Sequence, residues 1–166
     1  VCRTFKPQTI NPLIYSMILQ KKESYQDLIG LRQCIEFGTL QVIMDQGLNP
    51  EDAENLRQIA VSIERELDEP NPDPKLICRT DIAFHDAIAK ATRNDLIVTV
   101  NEMLSKLTYG SRIRTIEQCI REHDRKYLVD IHFEILKILE ERDTDAIAHT
   151  LKRSYSYWAN LQMEEE

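Results

Sequence analysis

The sequence has little that stops a helix. Its 166 residues include four glycines and six prolines, the prolines at Pro7, Pro12, Pro50, Pro70, Pro72 and Pro74. A β-sandwich or barrel needs turn residues every 8–12 residues or so, and that regular punctuation is missing. Cysteine is sparse as well. Cys2, Cys34, Cys78 and Cys119 are scattered with no CxxC spacing, which fits reduced thiols in a cytosolic protein better than a disulfide framework or a zinc knuckle. No apolar run approaches the roughly 18 residues of a membrane span, and the opening VCRTFKPQTINP lacks the apolar segment of a signal peptide. Basic excess is absent too. A net charge of −7 argues against phosphate contacts made by these residues themselves. HExxH, Glu-x-x-His and phosphate-loop patterns do not occur, which removes the corresponding zinc-hydrolase, di-iron and nucleotide-binding classes. The first residue is valine, so a piece of a longer protein is expected.

What is present is helical periodicity. Apolar residues return at three- and four-residue spacing between the punctuation marks. The pattern predicts a short helix near 12–20 and a long one from Ser24 to Gln46. In Asn49-Pro50-Glu51-Asp52 the Asn caps, the Pro takes the first helical position and the acids face the positive end, so a helix starts here and runs to about Leu67. Further helices are predicted at about 73–92, from Asn94-Asp95 onward, at 118–141 and from Thr144 to 162. The expected fold is one all-α antiparallel bundle of six to seven helices.

The stripes of these helices carry odd residues. Over 73–92, Ile77, Asp81, Phe84, His85 and Ile88 share one face, while Arg79, Asp86, Lys90 and Arg93 lie on a solvated one. Over 118–141, Leu128, His132, Ile135 and Leu139 form the apolar stripe; His123 lies opposite and should face solvent. On the last helix Ile147, Leu151, Ser154, Trp158 and Leu161 point inward and His149 does not. Arg32 falls beside Leu28, Leu31 and Ile35, at the edge of the buried face. The interior is therefore expected to hold a carboxylate, two imidazoles, a hydroxyl and a guanidinium.

Buried polar groups need partners, because an unpaired one costs about 1–3 kcal/mol. One solution is an internal network, with Asp81 accepting from His85 or His132 and Arg32 paired to Glu36. The other is a metal on Asp81, His85 and His132, a donor set suited to zinc, nickel, manganese or iron. A two-His, one-carboxylate enzyme and a purely structural helical module stand as the competing functions.

The stretch DIAFHDAIAKATRND resembles the D-x-x-F-H…A-x-x-N signature of the effector-binding domain of FadR-type GntR transcription regulators. DLIGLRQCIEFGTLQVI is similar to the first long helix of that domain, and DIHFEILKILEERDTDAI to its H-x-x-[IL] segment. RTFKP resembles the end of a winged helix-turn-helix wing. The resemblance covers about residues 23–160. It implies a division into residues 1–22, a wing end and linker from a DNA-binding domain, and residues 23–163, the effector-binding bundle. It implies no enzyme but a cytoplasmic, homodimeric sensor of a small carboxylate metabolite, touching DNA only through a separate winged helix-turn-helix domain and not a membrane. Family members commonly hold a divalent metal with one Asp and three His. Asp81, His85 and His132 match three of these ligands, and Ser154 stands where the fourth, a histidine, is expected. Arg32 matches an arginine that in some members faces the effector's carboxylate, and Asn94 matches a family Asn assigned to helix capping.

Overall fold

The structure, a computed structural model, describes residues 24–155, and these form six helices. They are α1 (Ser24–Gln46), α2 (Pro50–Asp68), α3 (Pro74–Ala91), α4 (Asp95–Arg121), α5 (Arg125–Glu141) and α6 (Thr144–Ser154). The expected helix at 12–20, and Trp158 and Leu161 of the last stripe, lie outside the described residues.

Capping chemistry sets most of the starts. Asn49 accepts from the Glu51 amide at 2.8 Å and Asp73 from the Lys75 amide at 2.9 Å, each just before a proline at the first helical position. Asn94 accepts from the amides of Leu96 and Ile97 at 3.0 and 3.3 Å, as its capping role requires. These bonds satisfy donors that a helix start leaves unpaired. The ends are less conventional. α1 stops at Gly47, whose φ of 87° suits a residue without Cβ. α3, α4 and α5 are instead followed by Arg93, His123 and Arg142, all with φ between 54° and 58°.

That choice explains one difference from expectation. The helix expected over 118–141 begins only at Arg125, because α4 continues to Arg121 and the chain reverses over Glu122–Asp124. With no glycine or proline there, His123 adopts the left-handed conformation, and the Asp124 amide closes on the Cys119 carbonyl at 2.9 Å. Nothing in the residue types announces that turn.

Turns of two to five residues join the helices, so sequence neighbours pack side by side. α3 lies between α2 and α4, α5 packs on α2, α4 and α6, and α1 crosses against α3 to α6. The apolar core gathers Ile43, Met44, Leu56, Ile63, Leu67, Ile77, Phe84, Leu136, Leu139 and Ile147. His123 and His149 are exposed, as expected. Asp86 is not simply solvated: it is half-buried and accepts from Asn101 Nδ2 of α4 at 2.6 Å. Arg32 differs more. It is 5% exposed, whereas its neighbour Leu31 is 43% exposed, so the arginine and not the leucine belongs to the buried face.

Candidate functional site

Asp81 and His85 stand one turn apart on α3, and Phe84 between them is fully buried against both imidazoles. Its ring centroid lies 4.8 Å from that of His132 and 6.0 Å from that of His85, edge to face. This packing holds the rings upright over the cavity. His132 comes from the apolar stripe of α5. One ligand atom from each of Asp81, His85 and His132 falls within 4.8 Å of the others. The spacing argument thus brought three residues from two helices to one point.

The hydrogen bonds assign the ring nitrogens of His132. His132 Nδ1 lies 2.6 Å from the Leu128 carbonyl, an acceptor only, so it carries the hydrogen and Nε2 turns its lone pair to Asp81 Oδ1 at 3.1 Å. A lone pair and a carboxylate oxygen at that distance call for a positive centre between them, a proton or a metal ion. His85 Nδ1 faces Glu36 Oε1 at 3.3 Å, and its Nε2 receives Arg32 Nη2 at 3.3 Å and stands 3.8 Å from Asp81 Oδ1. His132 therefore donates outward through Nδ1 and presents Nε2 to the middle, while His85 has Nδ1 near Glu36 and Nε2 shared between Arg32 and the centre.

These donors fit a divalent metal. Bonds of about 2.0–2.1 Å put two ligand atoms roughly 3.0–3.4 Å apart around one ion. The Asp81–His132 pair already has that separation, His85 Nε2 stands 3.8 Å from Asp81 Oδ1, and the set spans up to 4.8 Å, so the two imidazoles would draw together around an ion. The His132 Nδ1 bond to a backbone carbonyl is of the kind that orients a metal-bound imidazole.

Arg112, Glu36, Arg32 and Tyr155 complete the polar centre. Arg112 of α4 donates through Nη1 to Asp81 Oδ2. Glu36 of α1 accepts from Arg32 Nε at 2.7 Å and from the Tyr155 hydroxyl at 2.5 Å. The Arg32 guanidinium lies 5.2 Å over the Tyr155 ring. Burial alone would raise Asp81, but Arg112, His132 and His85 around it hold it well below the ordinary carboxylate range. Burial would likewise raise Glu36, yet Arg32, His85 and Arg112 bring it down to about 2. His85 moves the other way: burial, aided by Arg112 and Arg32, lowers it to about 3 against the pull of Glu36 and Asp81, and it stays neutral.

A cavity of about 50 Å³ opens beside this cluster, and Arg32, Asp81, His85, Arg112, His132 and Ser154 all border it. It has room for about four waters. Ser154 is at the cavity wall, as the stripe predicted, but its hydroxyl donates back to the Leu151 carbonyl at 2.8 Å. Arg32 is present and already engaged by Glu36 and His85. Arg112 and Tyr155 escaped the sequence reading. Arg112 could have been found: it repeats at helical spacing with Leu104, Thr108 and Ile116 on the buried side of α4.

The class defined by this arrangement is an all-α domain built around a buried, charge-lined cavity. The family model of the FCD domain matches residues 27–156, and the chain belongs to that family, the effector-binding C-terminal domain of GntR regulators. No curated protein and no solved structure matches the chain.

Proposed function

We propose that this domain is the ligand-sensing and dimerisation part of a FadR-type regulator, binding a small organic acid in its interior cavity. The supporting observation is that one ligand atom from each of Asp81, His85 and His132 comes within 4.8 Å of the others, with the His132 ring held from outside through Nδ1. Asp81, His85 and His132 would hold a divalent metal, zinc, nickel, manganese or iron. Such an ion supplies a Lewis-acidic anchor for a carboxylate oxygen. Arg32 and Ser154 border the same space, the first as a charge partner for the acid and the second as a small wall residue. The cavity volume of about 50 Å³ favours a compact acid over a long acyl chain.

The protein would act in the cytoplasm as a homodimer and meet DNA through a separate winged helix-turn-helix domain. Sensing would then be a population shift. The acid binds one arrangement of the bundle better than another, and the difference in affinity biases how the DNA-binding heads are held. α1 is well situated for this: its Arg32 and Glu36 reach His85 of α3 and Tyr155 beyond α6.

The test is elemental analysis of protein purified without chelator, beside a Ser154→His variant. About one equivalent of metal in the native chain is the expected result. No metal in the native chain with retention in the variant would mean a metal-free pocket, and no metal in either would remove the metal reading.

A further inference from the structure

Two hydrogen-bond donors of residues bordering the cavity have no acceptor among the described residues. Thr115 on α4 is 4% exposed, and its Oγ1 meets no partner among the described residues. Arg112, three residues earlier, is also 4% exposed and borders the same cavity. Its Nε donates to Thr108 Oγ1 at 3.3 Å and its Nη1 to Asp81 Oδ2, while no described residue accepts from Nη2. Residues three apart lie on one helix face, so the outer edge of the guanidinium and the threonine hydroxyl look into the space together. A buried hydroxyl left unpaired costs stability, and a ligand would repair it. Arg32 has more of its surroundings committed, to Glu36, His85 and the Tyr155 ring, so it answers the acid's charge from the cavity edge while Arg112 and Thr115 are open to direct contact.

Charge narrows the ligand. Asp81 and Glu36 are balanced by Arg112 and Arg32. A divalent ion on the Asp81 cluster would leave two positive charges in a buried space, where uncompensated charge is expensive. We propose that Arg112 and Thr115 form a carboxylate-binding subsite and that the acid is a compact dianion, one carboxylate on this subsite and its second charge answering the metal. This rests on the acid-sensing reading above. Arg112 Nη1 keeps Asp81 Oδ2, so metal and acid bind with mutual reinforcement and do not compete for the same arginine edge.

The experiment is calorimetric titration of zinc-loaded protein with malonate, succinate and their half-amides, which keep the shape and lose one charge. Expected is at least a tenfold preference for one of the diacids over its half-amide. Thr115→Val, which removes no bond present in the protein, should weaken the diacid about tenfold, and Arg112→Lys about a hundredfold, through loss of charge-assisted hydrogen bonds. Circular dichroism checks that each variant is folded. Undiminished diacid affinity in Thr115→Val overturns the subsite even if Arg112→Lys does not fold. Equal affinity for diacid and half-amide overturns the dianion. Failure of the native protein to bind any of the four probes overturns the acid-sensing reading itself, a result distinct from either.

Discussion

The face that α2 turns inward carries Leu56, Ala60, Ile63 and Leu67, each fully buried. The face that α4 turns inward carries Ser105, Thr108, Ser111, Arg112, Thr115 and Gln118, buried almost as deeply. The first is what a stable bundle needs: apolar area removed from water at about 25 cal/mol per Å². α4 also buries Leu104, Ile116 and Cys119, but its polar positions contribute little such area, and the hydroxyls of Ser105 and Thr115 meet no partner among the described residues. Short polar side chains on α4 also leave volume, and the cavity lies where they meet α3 and α5. A bundle that tolerates such a face has its stability supplied elsewhere, and under the function proposed above the polar half serves binding.

If that division is right, breaking a pair in the polar half should be the most damaging single change. Arg112→Ala leaves Asp81 charged and buried, at a cost of about 4 kcal/mol in urea unfolding. Ile63→Ala in the apolar half comes next, at about 3 kcal/mol, from lost transfer energy and a cavity that the flanking helices cannot fill.

Acid separates the halves, because only one of them titrates. His85 sits at about 3 in the fold against an ordinary 6.5, facing Glu36 and Arg32 of α1, Asp81 of α3 and Arg112 of α4. The unfolded imidazole takes its proton first, so stability is lost as pH falls from about 6.5 to 3. Glu36 at about 2 against 4.5 adds loss of the same sign below 4.5, and Asp81, also lowered, adds more. Lowering pH from 7 to 5 should cost about 2 kcal/mol through His85. His85→Gln should flatten that part of the curve; an unchanged slope would show that His85 is not buried neutral.

The smallest effect sharpens the comparison most. Replacing the ion pair whole, Asp81→Leu with Arg112→Met, should leave stability within about 1 kcal/mol of native while abolishing metal retention, because apolar residues of similar size can substitute for a buried pair. A large loss in the double variant would mean that the polar half is structural after all.

Much of this was legible in residue order. The stripe on 77–88 placed Asp81 and His85 inside, that on 128–139 placed His132 inside, and the exposure of His123 and His149 followed from the same angles. Capping chemistry located the starts at Pro50, Pro74 and Asp95. The turn at Glu122–Asp124 was not legible, since it uses left-handed histidine in place of glycine. Arg112 went unnoticed because α4 buries a face with weak apolar contrast, where a periodicity argument has little to grip. Arg32 was placed one step too far out for the related reason that Leu31 took the apolar position in the pattern.

Helical periodicity, caps and the scarcity of breakers determined an all-α bundle and the inward-facing Asp81, His85 and His132, because a helix converts spacing into direction and needs only local chemistry to do so. Which groups then meet was decided by the tertiary structure alone. Asp81 and Arg112 are 31 residues apart in sequence, Glu36 and Tyr155 are 119 apart, and no local rule links them. Their pairing and the cavity among them come from how four helices cross, where each side chain's partner is supplied by a different element.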